Sequence, residues 1–297
     1  MAASNVSILG LGLMGSALAR ATVSAGLNTT VWNRSPTRAQ EFSESPATLA
    51  ASVEEAVDAS ELIVVCVRDY RATDDALRTA TIEKRLAGKI IVQLSTGTPS
   101  QARAASEWAT NIGVRYIDGS IMGFPQDVGS QGLVILYGGD KETFERCEPI
   151  TKALSGTAFR VGDDPGNAAA LDSALLSLYF SFIFGVLNGA AICDAEGIPL
   201  ETFGNVGESL MPVLTGVMHR SLKMIMNGSY ETEHSTLETS AGATKQLATV
   251  MQDAELDGRF VESMRSYISE ANEAGKGNLS NAVVFEFLRR RGLDLPS

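Results

Sequence analysis

The sequence predicts an α/β protein with an N-terminal doubly wound sheet, then a long interdomain helix and an all-α C-terminal domain. Three observations predict it. Short β-rich runs alternate with helical segments as far as Gly162, as parallel βαβ units require. No further β-rich run follows that residue. The segment Ser173–Cys193, between Asp172 and Asp194, carries no charge at all. The expected boundaries are 1–162 for the sheet domain, 163–195 for the long helix and 196–297 for the helical domain, two domains suiting a chain of 297 residues better than one core.

Asn5–Gly10 reads as the first strand and Leu13–Ala25 as the first helix, stopped by Gly26. Thr29–Asn33 is the second strand, after which Ser35 is placed as N-cap with Pro36 at the first helical position. Ser52 and Glu55 have capping-box spacing ahead of Val53–Ala59. Leu62–Val67 is continuously apolar, the mark of a parallel strand covered on both faces. Ile90–Leu94 is the next strand, followed by a second capping box at Thr98 and Gln101 with Pro99 between. Val114–Asp118, Leu133–Tyr137 and Ala158–Val161 complete the strands, with one helix over Asp140–Leu154.

Ser173–Cys193 is long enough to cross a bilayer, but it has no flanking Lys or Arg and is interrupted by Ser173, Ser177, Ser181 and Asn188. The expected reading is a helix buried on nearly all sides, spanning domains or subunits. Gly185 and Gly189 would allow another helix close to it, which points to a homodimer.

Composition narrows the function. With 24 Lys+Arg against 35 Asp+Glu the formal charge is −11, so nucleic acid and acidic membranes are not expected partners. The three cysteines, Cys66, Cys147 and Cys193, are scattered through apolar stretches with no C-x-x-C pair. They read as reduced core thiols and, with no basic apolar leader before the first strand, point to the cytoplasm. His219 and His234 have no metal-ligand spacing, so no metal is expected. His219 reads as a helix-surface residue and His234 as a loop residue. Met211, Met218, Met224 and Met226 read as core filler, and Arg289–Arg291 as a solvated helix end.

The chemistry begins at Gly10-Leu11-Gly12-Leu13-Met14-Gly15, a G-x-G-x-x-G between the first strand and the first helix. Its glycines suit a tight turn, close approach of backbone to a pyrophosphate, and helix-to-strand packing, with the anion at the helix N-terminus. A Rossmann-type dinucleotide site follows, with Leu13 and Met14 inside it. The end of the second strand reads Trp32-Asn33-Arg34-Ser35-Pro36-Thr37-Arg38, without the carboxylate that would hold a ribose 2′-hydroxyl. Asn33, Arg34, Ser35 and Arg38 suit a 2′-phosphate instead, which makes the expected cofactor NADP(H) rather than NAD(H). Val67 and Arg68, and Thr96, are counted with the cofactor site.

G-L-G-L-M-G, W-N-R-S-P, S-T-G-T-P at 95–99, D-G-S-I-M-G-F-P at 118–125, Y-G-G-D at 137–140 and G-D-D-P-G-N-A-A-A-L-D at 162–172 together resemble the imine reductases, over about the first 200 residues in order. That family sits in the wider group of β-hydroxyacid dehydrogenases and 6-phosphogluconate dehydrogenase. Where the hydroxyacid dehydrogenases have a catalytic Lys and Asn, this chain has Ala170 and Ala174, and Met122 replaces the Ser that meets the substrate carboxylate. The resemblance therefore implies NADPH-dependent reduction of C=N bonds, such as cyclic imines, by stereoselective hydride transfer. It implies that Asp172 is the proton donor or the stabiliser of the iminium, where the bland alternative is a helix-start Asp favoured by the dipole. Burial among Leu171, Leu175 and Leu176 would raise its pKa.

Tyr179 returns to the same helix face about two turns, or ~10 Å, further on and is taken as a second catalytic residue. Met122, Phe180 and Leu214 are expected on the substrate side, Leu214 by position alone. Reductive aminases, relatives within the family, have Tyr where Phe180 stands and Asn where Thr96 stands. Both departures favour preformed imines over coupling of a free ketone and amine. The resemblance further implies an intertwined homodimer in which each cleft uses the partner's helical bundle. The alternatives held open are an NADP-dependent β-hydroxyacid dehydrogenase-like oxidoreductase and a non-catalytic NADP(H)-binding protein.

Overall fold

Alternation along the N-terminal strands decides the architecture. Val6, Ile8, Val31, Val64 and Val92 pack into one buried cluster, while Leu9, Ile63, Val65 and Ile91 pack into another, so each sheet face has its own core. In the computed structural model, which describes residues 5–289, these runs become one eight-stranded sheet. Its elements are β1 (Asn5–Leu9), α1 (Leu13–Ser24), β2 (Asn28–Trp32), α2 (Pro36–Ala39), β3 (Thr48–Leu49), α3 (Val53–Ala59), β4 (Leu62–Val65), α4 (Tyr70–Leu77), α5 (Ala80–Leu86), β5 (Ile90–Gln93), α6 (Pro99–Asn111), β6 (Arg115–Met122), β7 (Val134–Gly138), α7 (Lys141–Arg146), α8 (Glu148–Leu154) and β8 (Thr157–Gly162).

The strand order is β3-β2-β1-β4-β5-β6-β7-β8. Every neighbouring pair is parallel except β6 with β7, so the doubly wound expectation holds with one antiparallel hairpin. The order reverses between β1 and β4, where such sheets leave a crevice for a ligand at their carboxyl ends.

Local chemistry explains most element ends. The Thr98 hydroxyl accepts from the Gln101 amide, and the Gln101 side chain answers it at the Thr98 amide, a complete capping box at α6. Ser52 caps α3, although Glu55 reaches the amide of Ala51 rather than that of Ser52. Ser35 stands at the N-cap of α2 as expected, but its side chain makes no capping bond. The expected single helix over Asp140–Leu154 is two helices, because Pro149 lacks the amide a continuous helix would use. α4 and α5 were not anticipated, yet Asp69 and Thr79 cap them by side-chain acceptance from Ala72 and Ile82.

After β8 every element is helical: α9 (Gly166–Ala195), α10 (Leu200–Asn227), α11 (Leu237–Asp253), α12 (Arg259–Ala271) and α13 (Val284–Leu288), with a π-helical stretch and a 3₁₀ turn between the last two. The chain divides into two compact units at Leu178/Tyr179. In the second unit Tyr230, Leu237, Ala271, Val283 and Phe287 form a small core. Gly189 lets Phe203 approach, since a Cβ there would lie 2.5 Å from its Cζ, whereas Gly185 faces open space. The Gly189 contact is thus made within the chain.

α9 is long and apolar enough, by length and composition, to cross a membrane. Within the single chain it is not buried on all sides as expected. From Ala174 to Leu187 its residues are exposed, apart from Ile183, although the Phe184 ring lies 6.0 Å from that of Phe260 on α12. The methionines of α10 likewise depart from the core-filler reading: Met211, Met218 and Met226 are exposed, and Met224 alone of the four packs against the small core. His219 is exposed on α10 and His234 lies in the loop before α11. Arg289 follows α13 and lies over the Phe285 ring, while Arg290 and Arg291 fall outside the described residues.

Candidate nucleotide and active site

The glycine corner joins β1 to α1. Gly10 has φ +102°, a conformation that L side chains rarely adopt, and a Cβ there would also strike the Cys66 carbonyl. A Cβ on Gly15 would lie 2.0 Å from the Gly10 carbonyl oxygen, so this glycine lets the helix close on the strand. Gly12 differs. The nearest atom to a Cβ there is Arg38 Nη1 at 3.6 Å, so the protein itself leaves room, as backbone open to a pyrophosphate should. The corner and the residues beside it fit a dinucleotide.

At the end of β2, Asn33 Oδ1 accepts from the Leu11 amide at 2.9 Å and its Nδ2 donates to the Ser35 carbonyl. Asn33 is therefore a brace for the glycine corner. Arg38 donates from Nη1 to the Leu11 carbonyl at 3.4 Å, across the same loop. Arg34 is exposed and makes no hydrogen bond or ion pair with the described residues, and the Ser35 hydroxyl is likewise uncommitted. Arg34, Ser35 and Arg38 together offer two guanidinium groups and a hydroxyl beside the corner, with no carboxylate among them. Leu13 is 83% exposed at the start of α1, and Met14 is half-buried behind it.

Beyond the reversal, the ends of β4 and β5 are tied together. Ser95 Oγ accepts from the Val67 amide at 2.9 Å, and the Gln93 side chain bridges the Ser95 amide to Thr73. Arg68 is exposed and paired with Asp69 at 2.8 Å. Thr96 is exposed between these ties and the α6 cap. Sequence reasoning did not single out Ser95 or Gly97, although both stand in the S-T-G-T-P motif. Met122 closes β6 half-buried, and Phe124, 61% exposed, follows it.

Asp172 lies within α9, whose start is fixed to α6. Asp164 accepts from the Gly166 amide at 2.8 Å and from Arg103 Nε at 2.9 Å, bonds that hold its carboxyl below the usual carboxylate range. Gly166 packs so closely that a Cβ would sit 2.9 Å from the Pro99 carbonyl oxygen. Asp172 itself is half-buried, and desolvation pushes its carboxyl upward. The expected leucine wall is partial, since Leu171 is half-buried while Leu175 and Leu176 are exposed. Ala170 and Ala174 stand where a hydroxyacid dehydrogenase would carry its Lys and Asn.

In the second unit Tyr179 and Phe180 are exposed on α9 and meet edge to face, their centroids 5.4 Å apart. Leu214 is exposed on α10. Burial pushes the thiols of Cys66 and Cys147 up to about 12, which leaves them without nucleophilic character at neutral pH. No cluster of metal-ligating side chains occurs among the described residues. A groove of about 790 Å³ runs between the later half of α1 and Pro125–Gly129, and it contains none of the residues above.

Comparison with known proteins agrees with this geometry. Residues 5–162 match the family model for the NAD binding domain of 6-phosphogluconate dehydrogenase, and residues 164–290 match the C-terminal domain of NADPH-dependent reductive aminase-like proteins. The chain is 32% identical over 289 residues to an NADPH-dependent reductive aminase of Aspergillus oryzae, covering 96% of this chain and 97% of that protein. An imine reductase from Myxococcus stipitatus, solved in complex with NADP+, superposes with a TM-score of 0.90 at 35% identity, covering 96% of this chain and all of the other. A reductive aminase from Aspergillus terreus, solved with NADPH and ethyl levulinate, gives 0.88 at 30% identity, covering 97% and 100%. By family model and by full-length similarity, this chain belongs to the NADPH-dependent reductive aminase and imine reductase family.

Proposed function

We propose that the chain reduces C=N bonds of imines to amines with NADPH as hydride donor, and that preformed imines are its preferred substrates. The observation that carries this reading is Asp172: it is the only carboxyl in α9 before Asp194, and burial keeps it protonated to higher pH than a free aspartate.

The glycine corner would hold the pyrophosphate at the N-terminus of α1, with Leu13 and Met14 in its first turn. Arg34, Ser35 and Arg38 would hold the 2′-phosphate, and Asn33 would support them through Leu11 and Ser35. Val67, Arg68 and Thr96, at the ends of β4 and β5, would flank the other half of the dinucleotide, since it lies across the reversal of strand order. Bound NADPH supplies a hydride from its nicotinamide C4. Asp172 would give a proton to the imine nitrogen, so that the carbon accepting hydride becomes more electrophilic. Tyr179 is proposed as a second polar group for the same substrate, with Met122, Phe180 and Leu214 as apolar pocket residues. Methionine at 122 provides no partner for a carboxylate, which suits a neutral or cationic substrate.

The exposed apolar run of α9, with Leu178, Phe182, Phe184 and Leu187 each about half exposed, is proposed to be covered by a second copy in a homodimer. Light scattering at micromolar concentration should give twice the 31.4 kDa chain mass. A cytoplasmic location belongs to the same proposal.

The decisive experiment follows NADPH absorbance with 2-methyl-1-pyrroline, in parallel with NADH, for wild type and Asp172→Asn. NADPH consumption that largely disappears in the variant supports imine reduction and the role of Asp172 together. Binding of NADPH without consumption across small and larger imines would overturn it in favour of a non-catalytic protein. Turnover of a β-hydroxyacid with NADP+ would favour a hydroxyacid dehydrogenase.

A further inference from the structure

A buried polar cluster that the proposed chemistry leaves unused lies under the β5–α6 loop. Tyr70, the first residue of α4, is 5% exposed and donates its hydroxyl to Asp118 Oδ1. Tyr116 donates to the same oxygen at 3.2 Å. Asp118 is 2% exposed on β6, level with Gln93 of β5. The Tyr70 ring is thereby pinned at one end, and its other edge lies against Gly97. A Cβ on Gly97 would sit 2.2 Å from Tyr70 Cε2 and 2.4 Å from Cδ2. The backbone of Gly97 is not in the left-handed region, so it is the ring that excludes a side chain there.

The loop is thus held at three successive points: Ser95 by the Val67 amide, Gly97 by the Tyr70 ring, and Thr98 by its capping box with Gln101. The one exposed side chain between the first two ties is Thr96. We propose that Tyr70, anchored by Asp118, is a positioning residue that sets the backbone of Thr96–Gly97 and with it the fit of the nicotinamide half of NADP(H). The inference rests on the proposed function, because it takes Thr96 to flank the cofactor. Tyr70 acts through the loop and touches no reacting atom.

The test measures the KM for NADPH, kcat with 2-methyl-1-pyrroline, NADPH affinity by fluorescence and melting temperature. The proteins are wild type, Gly97→Ala, Tyr70→Leu, the double variant and Tyr116→Phe. Gly97→Ala should raise the KM for NADPH at least tenfold. In the Tyr70→Leu background, where the ring edge is gone, the same substitution should change it less than twofold. Tyr116→Phe removes a hydrogen bond to the same carboxylate without altering the ring under Gly97, so it should leave the KM within twofold of wild type whatever it does to stability.

Equal effects of Gly97→Ala in both backgrounds, or no effect in either, would overturn the inference. So would a Tyr116→Phe enzyme as impaired toward NADPH as Gly97→Ala, since that would reveal general loosening of the core. If Tyr70→Leu does not fold, Tyr70→Phe replaces it as a single variant: the ring remains but its anchor is lost, and a KM for NADPH unchanged from wild type would overturn the role of the Asp118 anchor. A wild-type protein that neither binds nor consumes NADPH would sink the proposed function and this inference together. An active wild type with an additive cycle sinks the inference alone.

Discussion

Arg38 Nη1 donates to the carbonyl oxygen of Leu11 at 3.4 Å, which brings a guanidinium from the β2 side across to the middle of the glycine corner. The Arg34 guanidinium and the Ser35 hydroxyl beside it have no partner among the described residues, so the proposed 2′-phosphate site collects positive charge.

Charge-assisted bonds of this kind contribute about 1.5–3 kcal/mol each, and every 1.4 kcal/mol or so is a factor of ten. Arg34→Ala should therefore raise the KM for NADPH by about tenfold to a hundredfold. It should leave the KM for NADH nearly unchanged, so the ratio of the two reads the 2′-phosphate contact directly. A parallel rise for both cofactors would place Arg34 elsewhere.

Gly12 and Gly15 should respond differently to the same methyl group. A Cβ on Gly15 runs into the Gly10 carbonyl at 2.0 Å, so Gly15→Ala should lower stability by about 1–3 kcal/mol and abolish binding. A Cβ on Gly12 meets nothing closer than 3.6 Å. Gly12→Ala should keep the melting temperature near that of wild type while NADPH affinity falls more than tenfold. Calorimetry and fluorescence titration on both variants check the contrast.

Asp172 sets a direction for the pH profile. Burial raises its pKa, so the protonated acid persists to higher pH than in free aspartate, and it is the protonated form that can supply a proton. The rate of imine reduction should fall as pH rises through that raised value. In Asp172→Asn this limb should vanish, with kcat lower by about 10²–10⁴. A wild-type rate that climbs with pH instead would assign the carboxylate to charge stabilisation of a preformed iminium.

Asp118 makes a stability prediction with the opposite readout. Burial takes its carboxyl from 3.8 up to about 7, against the lowering effect of the two tyrosine hydroxyls. Between those values the folded state keeps a proton that the unfolded chain has released. The stabilisation that Asp118 contributes is therefore full below pH 4 and is lost as pH rises toward 7, by up to roughly 1.4 kcal/mol per unit. Asp118→Asn retains an acceptor for both tyrosines but does not titrate. Urea unfolding should show the variant gaining on wild type from pH 5 to pH 8, and equal slopes for the two would show that another group titrates.

Much of the nucleotide half was legible because its determinants are local. The glycine spacing, the capping boxes at Ser52 and Thr98 and the continuous apolar run of β4 each act within a few residues, so they read directly from the chain. α4 and α5 escaped notice because they are short, 8 and 7 residues, and mostly polar, although Asp69 and Thr79 cap them. The division of one expected helix into α7 and α8 was written in Pro149, but it took the three-dimensional path to show that the chain turns there.

By itself, then, the sequence determined the doubly wound sheet class, the glycine-rich corner between the first strand and the first helix, the absence of a carboxylate at 32–38 and the isolated position of Asp172 ahead of an uncharged run. Short-range spacing and residue chemistry suffice for those. Tertiary structure alone decided that Asn33 is a brace, that Gly12 is open while Gly15 is closed, and that Tyr70 meets Asp118 from 48 residues away beneath Gly97. It also decided that the middle of α9, apolar by composition, is exposed in the single chain. Burial and contact depend on the folded path of the chain, and for pairs such as Tyr70 and Asp118 no short window along the sequence contains both partners.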